Sequence, residues 1–188
     1  MNLPNKLTLL RILLVPVFVA FLLWESLPNH DLYALLIFSV ASLTDLLDGK
    51  IARKYNLVTN FGKFMDPIAD KLLICAAYTA FVQLGICSAW AVILILAREF
   101  TVTSLRLVAV GEGTVIAANY WGKVKTASQM TVTILVMALR QCDAWRWIDG
   151  GVWMNPLCAV LIWVSVALTV ISGIVYLLQN KKFLNPAK

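Results

Sequence analysis

Charge is what this chain has least of. Only 14% of its 188 residues are Asp, Glu, Lys or Arg, against about 25% in soluble domains. Histidine is almost missing: His30 stands alone, and its place on a predicted outer loop argues against a histidine nucleophile or base. Cys75, Cys87, Cys142 and Cys158 form no CxxC pair and have no partner histidines, which leaves a zinc or redox centre without ligands. They read as small buried hydrophobes. Cys87 and Cys142 fall in one predicted compartment, which permits a disulfide between them. There is also no internal repeat, low-complexity tract or interdomain linker, so the chain reads as a single domain over 1–188. No stretch remains for a separate soluble catalytic domain.

What is abundant is apolar, at 61% of the residues. A membrane-spanning helix takes about 20 apolar residues, and the runs between turn and charge breaks place six spans near 8–26, 32–53, 63–84, 89–110, 123–140 and 154–179. The fold class expected is an all-α integral membrane protein, a six-helix bundle with a polar cavity facing the cytoplasm. Lys6 and Arg11 before an apolar run resemble a signal peptide, but no small-x-small site precedes Glu25, so the segment reads as an uncleaved first span.

The net charge is +6, which suits topology signals, anionic lipid or an anionic substrate; with this hydropathy a nucleic-acid partner is not expected. Numbering the faces alternately puts Lys6, Arg11, Lys50, Arg53, Lys54, Lys63, Arg106, Lys123, Lys125, Lys181, Lys182 and Lys188 on one side. Only Arg140 and Arg146 fall on the other, while Lys71 and Arg98 lie deeper in spans. Basic residues collect on the cytoplasmic side, so both termini are expected there. Trp24, Trp90, Trp145, Trp147 and Trp153 gather near the opposite boundary, as an interfacial belt does.

The second and third spans reach bilayer length only by including carboxylates. Asp45, Asp48 and Ala52 are spaced i, i+3, i+7, and Gly62, Asp66 and Asp70 are spaced i, i+4, i+8, so each set lies on one helical face. The short loop between them puts both faces at one depth. Four convergent carboxylates repel strongly in a low dielectric, and divalent cations remove that penalty. Oxygen-only ligands favour Mg²⁺ or Mn²⁺, and two such ions match four carboxylates in formal charge, the arrangement of a two-metal centre for displacement at phosphorus. The alternative is helix capping and pairing with Lys50, Arg53, Lys63 and Lys71. Gly49, Ala52 and Gly62 leave room for close backbone approach, or for tight helix packing.

These residues form Asp45-Leu-Leu-Asp48-Gly49-Lys-Ile-Ala52-Arg53, eight residues, Gly62, three residues, Asp66, three residues, Asp70. That matches without departure the DxxDGxxAR(x8)GxxxDxxxD pattern of the CDP-alcohol phosphatidyltransferases, and the chain resembles this family over most of its length. Asn2 to Arg11, Ala97 to Arg106 and Trp121 to Thr126 resemble its phosphatidylglycerophosphate synthase branch. The resemblance implies a homodimeric six-helix bundle that joins CDP-diacylglycerol to sn-glycerol 3-phosphate and releases CMP. It implies metal ligation by Asp45, Asp48, Asp66 and Asp70, with Asp70 also the general base. It further implies that Gly49, Ala52, Arg53 and Gly62, with Asn5 and Thr8 on the first helix, take the CDP-diacylglycerol.

Beyond that pattern, Arg98 lies about 12 Å past Trp90 along a helix at 1.5 Å per residue, too deep to face lipid; with Glu99 it is either an internal ion pair or an anion ligand. Arg98, Arg106, Lys123 and Lys125 are the candidates for an acceptor phosphate, since guanidinium and ammonium groups satisfy its oxygens. Asn5, Thr8 and Arg11 are open to a simpler reading as cap and topology signal. Competing functions are the same transfer to inositol phosphate, serine or phosphatidylglycerol, and a divalent-cation transporter lined by the carboxylates. An aspartate-rich prenyltransferase lacks its second acidic motif.

Overall fold

The architecture is known from a computed structural model that describes residues 2–54, 59–117 and 119–184; the side chains at 46–54, 60, 63, 66, 182 and 184 lie outside that description. Six long helices carry the chain: α1 (Leu3–Leu23), α2 (His30–Lys54), α3 (Asn60–Gln83), α4 (Ala89–Gly111), α5 (Tyr120–Ala144) and α6 (Met154–Gln179). Short 3₁₀ turns at Gly151–Trp153 and Lys181–Leu184 accompany α6, and no strand occurs among the described residues.

Local chemistry explains the helix ends. Pro4 occupies the first turn of α1, where its missing N–H is harmless, so α1 begins before its apolar run. Thr59, Ser88 and Asn119 cap α3, α4 and α5 by accepting hydrogen bonds from the backbone N–H groups of Gly62, Trp90 and Gly122. The left-handed turn after α3 falls on Gly85, at φ 72°, where the absence of Cβ removes the steric cost. Asn29 and Arg146 take the same conformation, at φ 60° and 56°, without that relief.

Packing pairs α1 with α2 and α3, α5 with α6 and α2, and α4 with α6 and α3. Buried alanines 34, 41, 77 and 91 let helices approach closely, and Phe18 meets Phe38 with ring centroids 5.5 Å apart. Polar groups lie inside the bundle beside its apolar core, and large apolar side chains cover its outside. Gln129, Thr133, Ser165, Thr169 and Ser172 are fully buried, whereas Leu13, Leu36, Val40, Ile93, Leu107, Val164 and Ile174 lie exposed. An apolar exterior around an interior that also houses polar groups suits lipid as the surrounding solvent. Leu3–Leu23 and Gly151–Gln179 are long and apolar enough to cross a bilayer by length and composition. The other four helices carry Asp45, Asp70, Arg98, Glu99, Arg106, Lys123 and Lys125. All four cysteines are free, Cys87 and Cys142 included; burial pushes the Cys87 thiol up to about 11.

Candidate active site

α1 enters the site through one face, with Asn5, Thr8 and Arg11 all buried. Asn5 is not a cap of its own helix. Its Oδ1 accepts from Thr59 Oγ1 at 2.9 Å, and Thr59 in turn accepts from Gly62 N at 3.0 Å, so the first helix is fastened to the buried glycine that opens α3. Thr8 Oγ1 donates back to the Pro4 carbonyl at 3.1 Å. Arg11, only 1% exposed, reaches Asp45 with Nη1 2.5 Å from Oδ1. The charge of the half-buried Asp45 is therefore offset from the α1 side.

Across from it stands Asp70 on α3, which accepts no hydrogen bond from the described residues. Asp45, Arg11, Lys125 and Glu99 are all close enough for their charges to act on it. The side chains of Asp48, Gly49, Ala52, Arg53 and Asp66 lie outside the described residues, although α2 and α3 carry their backbones as helix. Among the described residues no three His, Cys, Asp or Glu side chains gather. The donors that are described, Asp45 and Asp70, offer oxygen alone and fit a hard divalent cation.

Asp70 opens onto a narrow cleft between α3, α4 and α5 lined also by Lys71, Cys75, Glu99, Lys125, Thr126 and Gln129. Glu99 organises its charge. Its Oε1 accepts from Lys125 Nζ at 2.6 Å and from Arg98 Nη1 at 2.8 Å, so one carboxylate on α4 gathers a cation from its own helix and one from α5. Lys71 Nζ donates to Thr103 Oγ1. Arg98 is held on the α6 side, where Nη2 donates to Ser172 Oγ at 2.9 Å, and it is not among the residues lining the cleft. A Cβ on Gly173 would come within 2.9 Å of Arg98 Cγ, so glycine at that position leaves room for the arginine stem.

The four candidate phosphate groups therefore divide. Arg98 and Lys125 converge on Glu99. Arg106 does not join them: its Nε donates to Tyr176 Oη at 3.0 Å, and its guanidinium lies 5.5 Å from that ring's centroid. Lys123 is exposed in the first turn of α5. Tyr176 and Gln129 did not stand out by composition. Gln129 is legible in hindsight as one turn beyond Lys125 on the same face of α5.

Comparisons with known proteins place the sequence among relatives. The family model described as CDP-alcohol phosphatidyltransferase matches residues 1–171. The chain is 46% identical over 190 residues to a CDP-diacylglycerol--glycerol-3-phosphate 3-phosphatidyltransferase of Bacillus subtilis, covering 95% of each chain. It is 38% identical over 184 residues to the protein of the same description from Rickettsia felis, with 97% of each covered. A probable phosphatidylglycerophosphate synthase of Mycobacterium tuberculosis is 39% identical over 179 residues, or 93% of this chain and 79% of the relative. With an intact motif, a family model that matches residues 1–171, and relatives 38–46% identical over 95% or more of each chain, the chain belongs to the CDP-alcohol phosphatidyltransferase family.

Proposed function

We propose that this membrane enzyme transfers the phosphatidyl group of CDP-diacylglycerol to sn-glycerol 3-phosphate, giving phosphatidylglycerophosphate and CMP. Among the observations, the one that carries the reading is the position of Asp70, a carboxylate without a hydrogen-bonding partner among the described residues, in the lining of a cleft that also holds Lys125. A base and a phosphate-binding cation sharing one cleft is what a phosphorylated alcohol requires.

The primary hydroxyl of glycerol 3-phosphate attacks the phosphorus that bears diacylglycerol. Its proton passes to the Asp70 carboxylate, the new P–O bond forms, and the bond to the cytidylyl phosphate breaks as CMP leaves. Asp45, Asp48, Asp66 and Asp70 would hold two divalent cations, Mg²⁺ or Mn²⁺, whose chemistry when bound is to polarise the diphosphate oxygens. Arg53 offsets diphosphate charge, while Gly49, Ala52 and Gly62 admit the nucleotide, with Asn5 and Thr8 on the α1 side of it. Lys125 receives the acceptor phosphate within the cleft, with Arg106 and Lys123 supplying positive charge at the same end of the bundle. Arg98 acts through Glu99, fixing the carboxylate that orients Lys125.

The same reading makes all six helices spans of one domain in the bacterial cytoplasmic membrane, with both termini and the site cytoplasmic. The unequal distribution of Lys and Arg supports that orientation, and the lipid tails then stay in the bilayer while only the head group enters. Family resemblance supports a homodimer. The test is CMP release by the purified enzyme with CDP-diacylglycerol and a panel of acceptors. Release with glycerol 3-phosphate, and none with serine, inositol phosphate or phosphatidylglycerol, is expected; preference for another acceptor would refute the assignment.

A further inference from the structure

One fully buried side-chain oxygen of the cleft lining has no hydrogen-bond partner among the described residues. Gln129 is fully buried, and its Nε2 donates to Thr169 Oγ1 at 3.1 Å. Thr169 gives its own hydroxyl proton to the Ser165 carbonyl at 2.8 Å. Its oxygen therefore faces Gln129 as an acceptor, and the amide cannot turn over without losing that bond. This fixes the carbonyl end, Oε1, as the free end, and it has no hydrogen-bond partner among the described residues. Other polar groups of the lining are engaged: Lys125 with Glu99, Lys71 with Thr103, and Thr126 with the Gly122 carbonyl.

A buried carbonyl oxygen of this kind requires a donor. Phosphate dianions donate nothing, so in the acceptor only hydroxyls qualify, and the reacting hydroxyl gives its proton to Asp70. We propose that Gln129 Oε1 accepts a hydrogen bond from the secondary, non-reacting hydroxyl of the acceptor, which makes Gln129 a specificity-determining residue for a phosphorylated diol. This rests on the reading of the cleft as the acceptor site. An acceptor lacking that hydroxyl leaves Oε1 buried and unpaired, which is how a polar pocket rejects a smaller analogue.

The experiment compares sn-glycerol 3-phosphate with 3-hydroxypropyl phosphate, the same chain without the secondary hydroxyl, in steady-state kinetics of the full-length enzyme with Mg²⁺. The wild type should prefer glycerol 3-phosphate by about tenfold or more in kcat/KM. Gln129→Met, similar in length and without the carbonyl, should lose about that factor on glycerol 3-phosphate and little on the analogue, so that the preference collapses. Equal losses on both acceptors would overturn the proposal and leave Gln129 a packing role. If thermal unfolding finds Gln129→Met unfolded, the wild-type pair decides by itself, since equal kcat/KM for the two acceptors overturns it. Lys125→Ala separates the two levels. An unchanged KM for glycerol 3-phosphate in that variant refutes the acceptor-site reading itself, whereas a raised KM for both acceptors with no wild-type preference refutes only the role of Gln129.

Discussion

At the Asp31 end of the bundle, charge is buried and, among the described residues, its buried side-chain polar atoms have partners. Asp31 is 3% exposed, and its two oxygens accept from Arg140 Nε at 3.1 and 3.2 Å. His30 Nδ1 donates to the Leu22 carbonyl, Gln141 accepts from Leu32 N and donates to Asn29, and Trp145 also donates to Asn29. These bonds tie the start of α2 to the end of α5. At the Asp45 end Glu99 and Lys125 are buried as well, yet Gln129 Oε1 and Arg98 Nε lack partners among the described residues, and Asp70 faces a cleft. Buried polar groups are expensive when unpaired. The closed network thus serves stability, and the incomplete one is shaped for something that binds.

The largest test of that contrast is at the carboxylates. Asp70→Asn and Asp45→Asn should reduce CMP release by about 10²-fold or more, and chelation with EDTA should abolish it until Mg²⁺ or Mn²⁺ is restored. Full turnover in excess chelator would remove the two-metal reading. Asp31→Asn, by contrast, should leave kcat/KM within a few-fold in protein that folds.

Next in size is the stability of the closed network. Asp31→Ala strands Arg140 and should cost about 3–5 kcal/mol, as breaking a buried pair does, seen as a lowered midpoint in thermal unfolding. Removing both partners should recover much of the loss. If Asp31→Ala melts like the wild type, the Asp31 end is not the clamp described above.

A third test splits the substrates. Lys125→Ala should raise KM for glycerol 3-phosphate by an amount equivalent to about 1.5–3 kcal/mol, with KM for CDP-diacylglycerol within a few-fold, and Arg53→Ala should do the reverse. Arg106→Ala should share the acceptor effect more weakly, because Tyr176 already holds its guanidinium. Indistinguishable KM values in all three variants would return these cations to a topological role.

The smallest effect expected is at Cys87. Its thiol is pushed up to about 11 by burial, so at pH 8 almost none is thiolate, and thiolate is the reactive form. Maleimide should label it slowly in folded enzyme and rapidly after denaturation. Rapid labelling of the native state would show that the Asp31 end opens more readily than its packing implies.

The faces that carry the candidate carboxylates were legible in the sequence because a helix converts spacing into direction. The intervals from Asp45 to Ala52 and from Gly62 to Asp70 assign faces without any tertiary information. Six apolar runs likewise anticipate six helices, and α4 begins and ends within a residue of the predicted span. The start of α1 and both ends of α5 differ because a helix need not stop where lipid does: Pro4, Asn119 and the bonds of Arg140 and Gln141 extend them into polar surroundings.

What the sequence by itself determined was therefore local: apolar content, helix number, the spacing of the carboxylates along their helices and a charge asymmetry. Only the tertiary structure decided which of several cations share a counter-charge. It gave Lys125 and Arg98 to Glu99, and Arg106 to Tyr176 on α6. It alone left Gln129 with an amide fixed by α6 and a carbonyl facing no donor. The physical reason is that pairing between helices depends on distances of a few ångströms set by packing, and no periodicity along one strand of sequence records them.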